Sequence, residues 1–105
     1  MRRGRPQSDI NPGLHPARRA LAQAVRDQRE ESGMTVREVA DKAHCSPAAV
    51  AHAESGRRIP GPRLFASMMK AMGQAVTSPK MARIYGAAVL AAATVLDLYM
   101  RVMHR

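Results

Sequence analysis

Residues 35–56 read TVREVADKAHCSPAAVAHAESG, and this stretch decides the fold. Thr35 and Glu38 stand at capping-box spacing, where each can satisfy a free backbone N–H at a helix start. The helix they open is predicted to run to about Ala43. Ser46 followed by Pro47 marks a second start. The serine caps, and proline fits the first helical position, which needs no N–H. Gly56 can take the left-handed conformation that ends this second helix. Val39, Ala40, Ala43, Val50 and Ala53 form a small apolar set between the two helices. Ala40 has to be small, because a larger side chain would hold them apart. Two short helices joined by about three residues make a helix-turn-helix.

Flanking segments extend the pattern on both sides. Residues 15–32 are predicted to be a helix, with Pro16 in its first turn, Leu21 and Val25 on one face and Gly33 as its stop. Arg18, Arg19, Arg26, Asp27 and Glu30 point away from that face. Residues 55–61 form a loop carrying Arg57 and Arg58, with Ile59 and Pro60 turned inward. Pro62 then opens a fourth helix over residues 63–72, which Gly73 stops. Phe65, Met68, Met69 and Met72 make its buried face, and such a methionine stripe reads as core. Free N–H groups at that helix start favour a phosphate, and Arg63 stands beside them.

Residues 34–40 (MTVREVA), 46–50 (SPAAV) and 54–60 (ESGRRIP) resemble the phage-repressor (Xre/Cro-type) helix-turn-helix family. The resemblance covers residues 17–73 and holds without a gap from Arg29 to Gly73. Three departures stand out. The family usually has glycine in the turn where His44 stands, glutamine or another polar residue near Val36, and polar residues where the second helix here has mostly alanine. The resemblance implies an all-α fold: a four-helix repressor-type domain with an additional long C-terminal helix. It further implies that Arg29 pairs with Glu54. It places Pro47, Ala48, Ala51 and His52 opposite DNA bases. It places Thr35, Arg37, Ser46, Arg57, Arg58 and Arg63 on phosphates. Of the base-facing set, His52 alone carries a hydrogen-bond donor, while Ala48 and Ala51 can touch a thymine methyl.

Outside the resemblance lie two appendages. Residues 1–14 hold three Arg, two Pro and two Gly with little to bury, and read as a flexible basic arm. Within it, the run from Arg3 to Arg5 resembles the core of an AT-hook, a segment suited to a narrow minor groove. The domain proper is expected over residues 15–73, and residues 74–105 form the second appendage. There, Ser78 and Pro79 repeat the cap-plus-proline start, and residues 80–104 predict a long alanine-rich helix. Ile84, Ala88, Ala91, Val95, Leu98 and Val102 follow helical spacing along it. Tyr85, Val89, Ala92, Leu96, Tyr99 and Met103 follow the same spacing one residue on. Together they make a face wider than a coiled-coil seam. The sequence favours a homodimer built on the first stripe over packing against its own domain. It favours both over a membrane, because the apolar run over residues 84–96 is shorter than the ~20 residues of a span and Asp97 follows it.

Composition narrows the class of partner. The chain has 105 residues, with Lys+Arg 17 against Asp+Glu 8 and a formal net charge of +9. That excess favours a polyanion. Aromatic residues make up only 3% and Trp is missing, which argues against base stacking on single strands or RNA. The single cysteine, Cys45, excludes an internal disulfide and fits a small packing residue. His15, His44, His52 and His104 are scattered, so no metal and no cofactor is expected. No catalytic constellation or phosphate-binding glycine loop stands at a usable spacing, so an enzyme is not expected. The N-terminus carries no apolar run of signal-peptide type, which places the protein in the cytoplasm, on the nucleoid or in a phage-infected cell. The expected function is that of a double-stranded DNA-binding regulator, a small dimeric repressor. The alternative is an antitoxin that binds a toxin partner and represses its own operon.

Overall fold

The structure, a computed structural model, describes residues 10, 11, 13–74 and 78–103. Five helices follow in order: α1 (Pro16–Ser32), α2 (Val36–Ala43), α3 (Pro47–Ser55), α4 (Pro62–Ala71) and α5 (Pro79–Met103). No strand occurs among the described residues. The fold is all-α, as the sequence predicts. Helices α4 and α5 each begin one residue earlier than the sequence suggests, on Pro62 and Pro79, because proline is well placed at a first helical position.

Local chemistry explains each boundary. The His15 Nδ1 accepts from the Ala17 N–H at 3.0 Å and caps α1. Gly33, at φ 73°, closes the same helix. At α2 both halves of the capping box form: Thr35 Oγ1 accepts from Glu38 N at 3.1 Å, and Glu38 Oε1 accepts from Thr35 N at 2.8 Å. Ser46 Oγ accepts from Ala49 N at 3.1 Å and caps α3. In the turn between them His44 stands in the left-handed region at φ 58° and ψ 47°. Among the described residues it is the one non-glycine residue with a positive φ. The steric cost of that conformation for an L-residue is roughly 1–2 kcal/mol, which explains why glycine is the usual occupant of such a turn.

Packing turns these helices into one body. Leu21 and Val25 of α1, Val39 and Ala40 of α2, Val50 of α3, and Met68 and Met69 of α4 are all at most 2% exposed. Ala40 is fully buried where α2 meets α3 and α4. A leucine there would overpack this contact at a cost of about 1–3 kcal/mol. Glu54 is 3% exposed, the one buried charged residue among the described residues. Arg29 meets it from α1, with Nε to Oε2 at 2.5 Å and Nη2 to Oε1 at 3.1 Å. Arg26 approaches the same carboxylate at 3.6 Å. Arg29 Nη1 also donates to Met34 O at 3.0 Å, so one guanidinium joins α1, the α1–α2 connection and α3.

Two segments depart from the sequence expectation. The first is the end of the arm. Ile10 is 8% exposed and Leu14 is half-buried against Gly56, so part of residues 1–14 belongs to the domain surface. Arg3 and Arg5 lie outside the described residues.

The second is α5. Its first half packs on the protein's own core: Met81 is 4% exposed and Ala88 fully buried, with Ile84 and Tyr85 beside them. Tyr85 stacks on Phe65 at 4.4 Å between ring centroids and 18° between planes. Its hydroxyl donates to Pro60 O at 2.7 Å. Ile84 and Ala88, expected in a dimer interface, are therefore occupied within the chain. The reason is that α1 offers a complementary apolar face, with Ala24 beside Leu21 and Val25. Beyond Ala88 the helix runs free: Leu90, Leu98, Tyr99, Val102 and Met103 are each more than half exposed. The side chain of Val95 lies outside the described residues. By length and composition alone α5 is apolar enough to cross a membrane, the one such helix among the described residues.

Candidate nucleic-acid interface

Helix α3 presents two unlike faces. Val50, Ala53 and Glu54 turn into the core, while Ala48 and Ala51 are exposed away from it and Pro47 is exposed at the helix start. His52 is half-buried at the edge between them. Positions one turn apart share a helix face, so the four residues expected to meet bases form one short strip. Three of them carry nothing larger than a methyl or a proline ring. This strip can approach a surface closely, and His52 supplies its polar contact.

The groove beside the strip runs between α3 and the start of α4. It is lined by Ser46, Ala48, His52, Arg58, Ile59 and Leu64, among others. Arg58 is exposed at its rim, and Arg57 and Arg63 are exposed nearby in the chain. The loop that carries Arg57 and Arg58 turns back on the end of α3. Arg58 N donates to His52 O and Arg57 N donates to Ser55 Oγ, both at 3.3 Å. Pro60 is buried and Ile59 half-buried, so this loop turns its apolar residues inward and its arginines outward.

The starts of α2 and α3 differ as anion sites. At α2 the Thr35 N–H is taken by the Glu38 carboxylate, which also brings a negative charge to that end. Thr35 therefore has only its hydroxyl proton to offer a phosphate. At α3 the cap is the neutral Ser46, and the first turn holds no acidic side chain. The helix dipole there is uncompensated and favours an anion. Arg37 is exposed in the first turn of α2. Cys45 is half-buried in the turn, and burial pushes its thiol up, away from reactive thiolate. Among the described residues no three His, Cys, Asp or Glu side chains come together where a metal ion could be held.

One contact escapes any local reading of the sequence. Arg18, in the first turn of α1, reaches the loop after α3 and donates to Gly56 O and Arg57 O, each at 2.9 Å. The separation of 38 and 39 residues leaves no spacing rule that could find it.

Known proteins share the domain and the fold. A protein-family model described as a helix-turn-helix domain matches residues 20–78. No curated protein matches the chain. Two crystal structures of the clp gene regulator ClgR from Corynebacterium glutamicum are similar to it. One is 29% identical with a TM-score of 0.57, over 71% of this chain and 95% of that one. The other is 28% identical with a TM-score of 0.59, over 84% of this chain and 92% of that one. With the caps, the buried pair and the matched segment in agreement, the chain belongs to the helix-turn-helix domain family, within the Xre/Cro-type group.

Proposed function

We propose that this protein is a sequence-specific double-stranded DNA-binding transcriptional regulator that acts in the cytoplasm as a dimeric repressor. The observation that carries the reading is the narrow exposed strip of α3 with arginines around it. In this reading α3 enters the major groove by its N-terminal half. Affinity comes mainly from Arg37, Arg57, Arg58 and Arg63 on phosphates, with Ser46 and Thr35 adding hydroxyl contacts. His52 supplies the direct polar contact to a base, and the alanines accept a thymine methyl. Residues 1–9 can add Arg3 and Arg5 in the adjacent minor groove.

Dimerisation is supported by the large apolar side chains exposed on α5 beyond Ala88, Leu90, Leu98, Tyr99, Val102 and Met103 among them. Leu98 and Val102 remain available to it, with Ala91 half-buried at the margin. A twofold partner would set two copies of α3 on successive major-groove faces, about one helical turn apart. An antitoxin would offer the same half of α5 to a toxin, and a hetero-complex in place of a homodimer would turn the reading that way. The test is selection of bound duplexes from a random pool, followed by footprinting. The expected winner is a palindrome with half-sites about one turn apart. A pool that stays unenriched would contradict the proposal.

A further inference from the structure

The outward arginines describe what meets DNA, and Arg18 bears on what holds them there. Its side chain crosses from α1 to the end of α3 and engages two consecutive carbonyls, Gly56 O and Arg57 O. Gly56 and Arg57 follow directly on the end of α3, where the negative end of the helix dipole favours a cation. A planar guanidinium can bond both at once, whereas lysine presents a single point charge. Leu14 lies against Gly56 from the preceding segment and adds apolar cover to the same place.

We propose that Arg18 is a positioning residue for DNA binding: it fixes the backbone from which Arg57 and Arg58 reach phosphates. The proposal rests on the DNA-binding reading above. The loop over residues 56–61 is held at its far end by Tyr85, whose hydroxyl bonds Pro60 O at 2.7 Å. At its near end the loop's own bonds, from Arg57 N and Arg58 N, are both long at 3.3 Å. Arg18 supplies two shorter bonds at that end. With both ends pinned, the two arginines lose less freedom when they meet a phosphate, and binding is stronger for it.

The experiment uses the full chain carrying Arg18→Lys or Arg18→Gln, with circular dichroism to verify folding. Lysine keeps the charge and loses the two-carbonyl fork, so it separates positioning from charge. Amide exchange at Arg57 and Arg58 is measured in the free protein. Affinity for a selected duplex and for a random duplex is measured across salt concentration. Both variants are expected to speed exchange at these two amides. Both are expected to weaken binding to both duplexes by about three- to tenfold, the ordering cost of one or two long side chains. For Arg18→Lys the salt dependence should match that of wild type, because the same phosphate contacts form at a higher ordering cost. Arg18→Lys binding with wild-type affinity would overturn the proposal and leave Arg18 as a charge alone. Unchanged exchange in both variants would also overturn it. A wild type that binds neither duplex would remove the DNA-binding reading, and the proposal with it.

Discussion

Arg29 of α1 and Glu54 of α3 meet as a two-pronged pair, at 2.5 and 3.1 Å, with the carboxylate side chain only 4% exposed. The hydrogen bond to Glu54 is the main cause that raises the Arg29 pKa, against a lowering by burial. The pair ties α1 to the last turn of α3. Glu54→Ala is expected to destabilise the domain by about 3–5 kcal/mol, because the arginines facing it lose their partner inside the fold. Arg29→Ala should cost less, because Arg26 still stands 3.6 Å from the carboxylate. The double substitution should cost less than the sum. Urea unfolding of all four proteins checks this, and strict additivity would show that the pair is not coupled.

Arg57 and Arg58 are both exposed on a loop whose apolar residues face inward. Each change to alanine should weaken binding to every duplex alike and flatten the log–log salt slope by about one unit. Fluorescence anisotropy at several salt concentrations reads both quantities. A shifted site preference with an unchanged slope would assign the arginine to bases instead.

How far the sequence reveals this fold depends on the range of each interaction. Thr35 with Glu38, and Ser46 with Ala49, bond within three residues, so their chemistry stands in the spacing itself. The Arg29–Glu54 pair spans 25 residues, and family resemblance suggests it where periodicity does not. Arg18 reads as one more surface arginine, because nothing near it in sequence names its carbonyl partners. Tyr85 and Ala88 sit on stripes that fit a dimer seam as well as an intramolecular contact. Periodicity tells which face of α5 is apolar and not what covers it. Ile10 and Leu14 are hidden by a segment rich in arginine, glycine and proline, whose composition reads as an arm.

Tyr85 links α5 to the loop, and its phenol is pushed above the ordinary tyrosine range by burial. The folded state thus favours the neutral form, which donates to Pro60 O. This contribution is complete below the unfolded tyrosine pKa of about 10 and is lost as pH rises through the higher folded value. Tyr85→Phe should cost about 1 kcal/mol at neutral pH, the net worth of one hydrogen bond. The gap between wild type and variant in urea unfolding should close at alkaline pH. A gap that stays constant would show that the hydroxyl contributes nothing through its proton.

Leu98 is 62% exposed on the free half of α5. Leu98→Asp should convert dimers to monomers by burying an unpaired charge at the interface, and should leave the rest of the chain folded. Sedimentation with circular dichroism as control decides it. A wild type that stays monomeric at high micromolar concentration would withdraw the dimer.

In the proposed complex α3 reads sequence in the major groove, with His52 as its polar contact. The most direct measurement compares the affinity of wild type and His52→Ala for the selected duplex and for a random duplex, at one physiological salt concentration. Wild type is expected to prefer the selected duplex by at least about 10³-fold. His52→Ala should lose about 1–3 kcal/mol on that duplex and change little on the random one. Equal affinity of wild type for the two duplexes, or equal losses on both in the variant, would contradict the account.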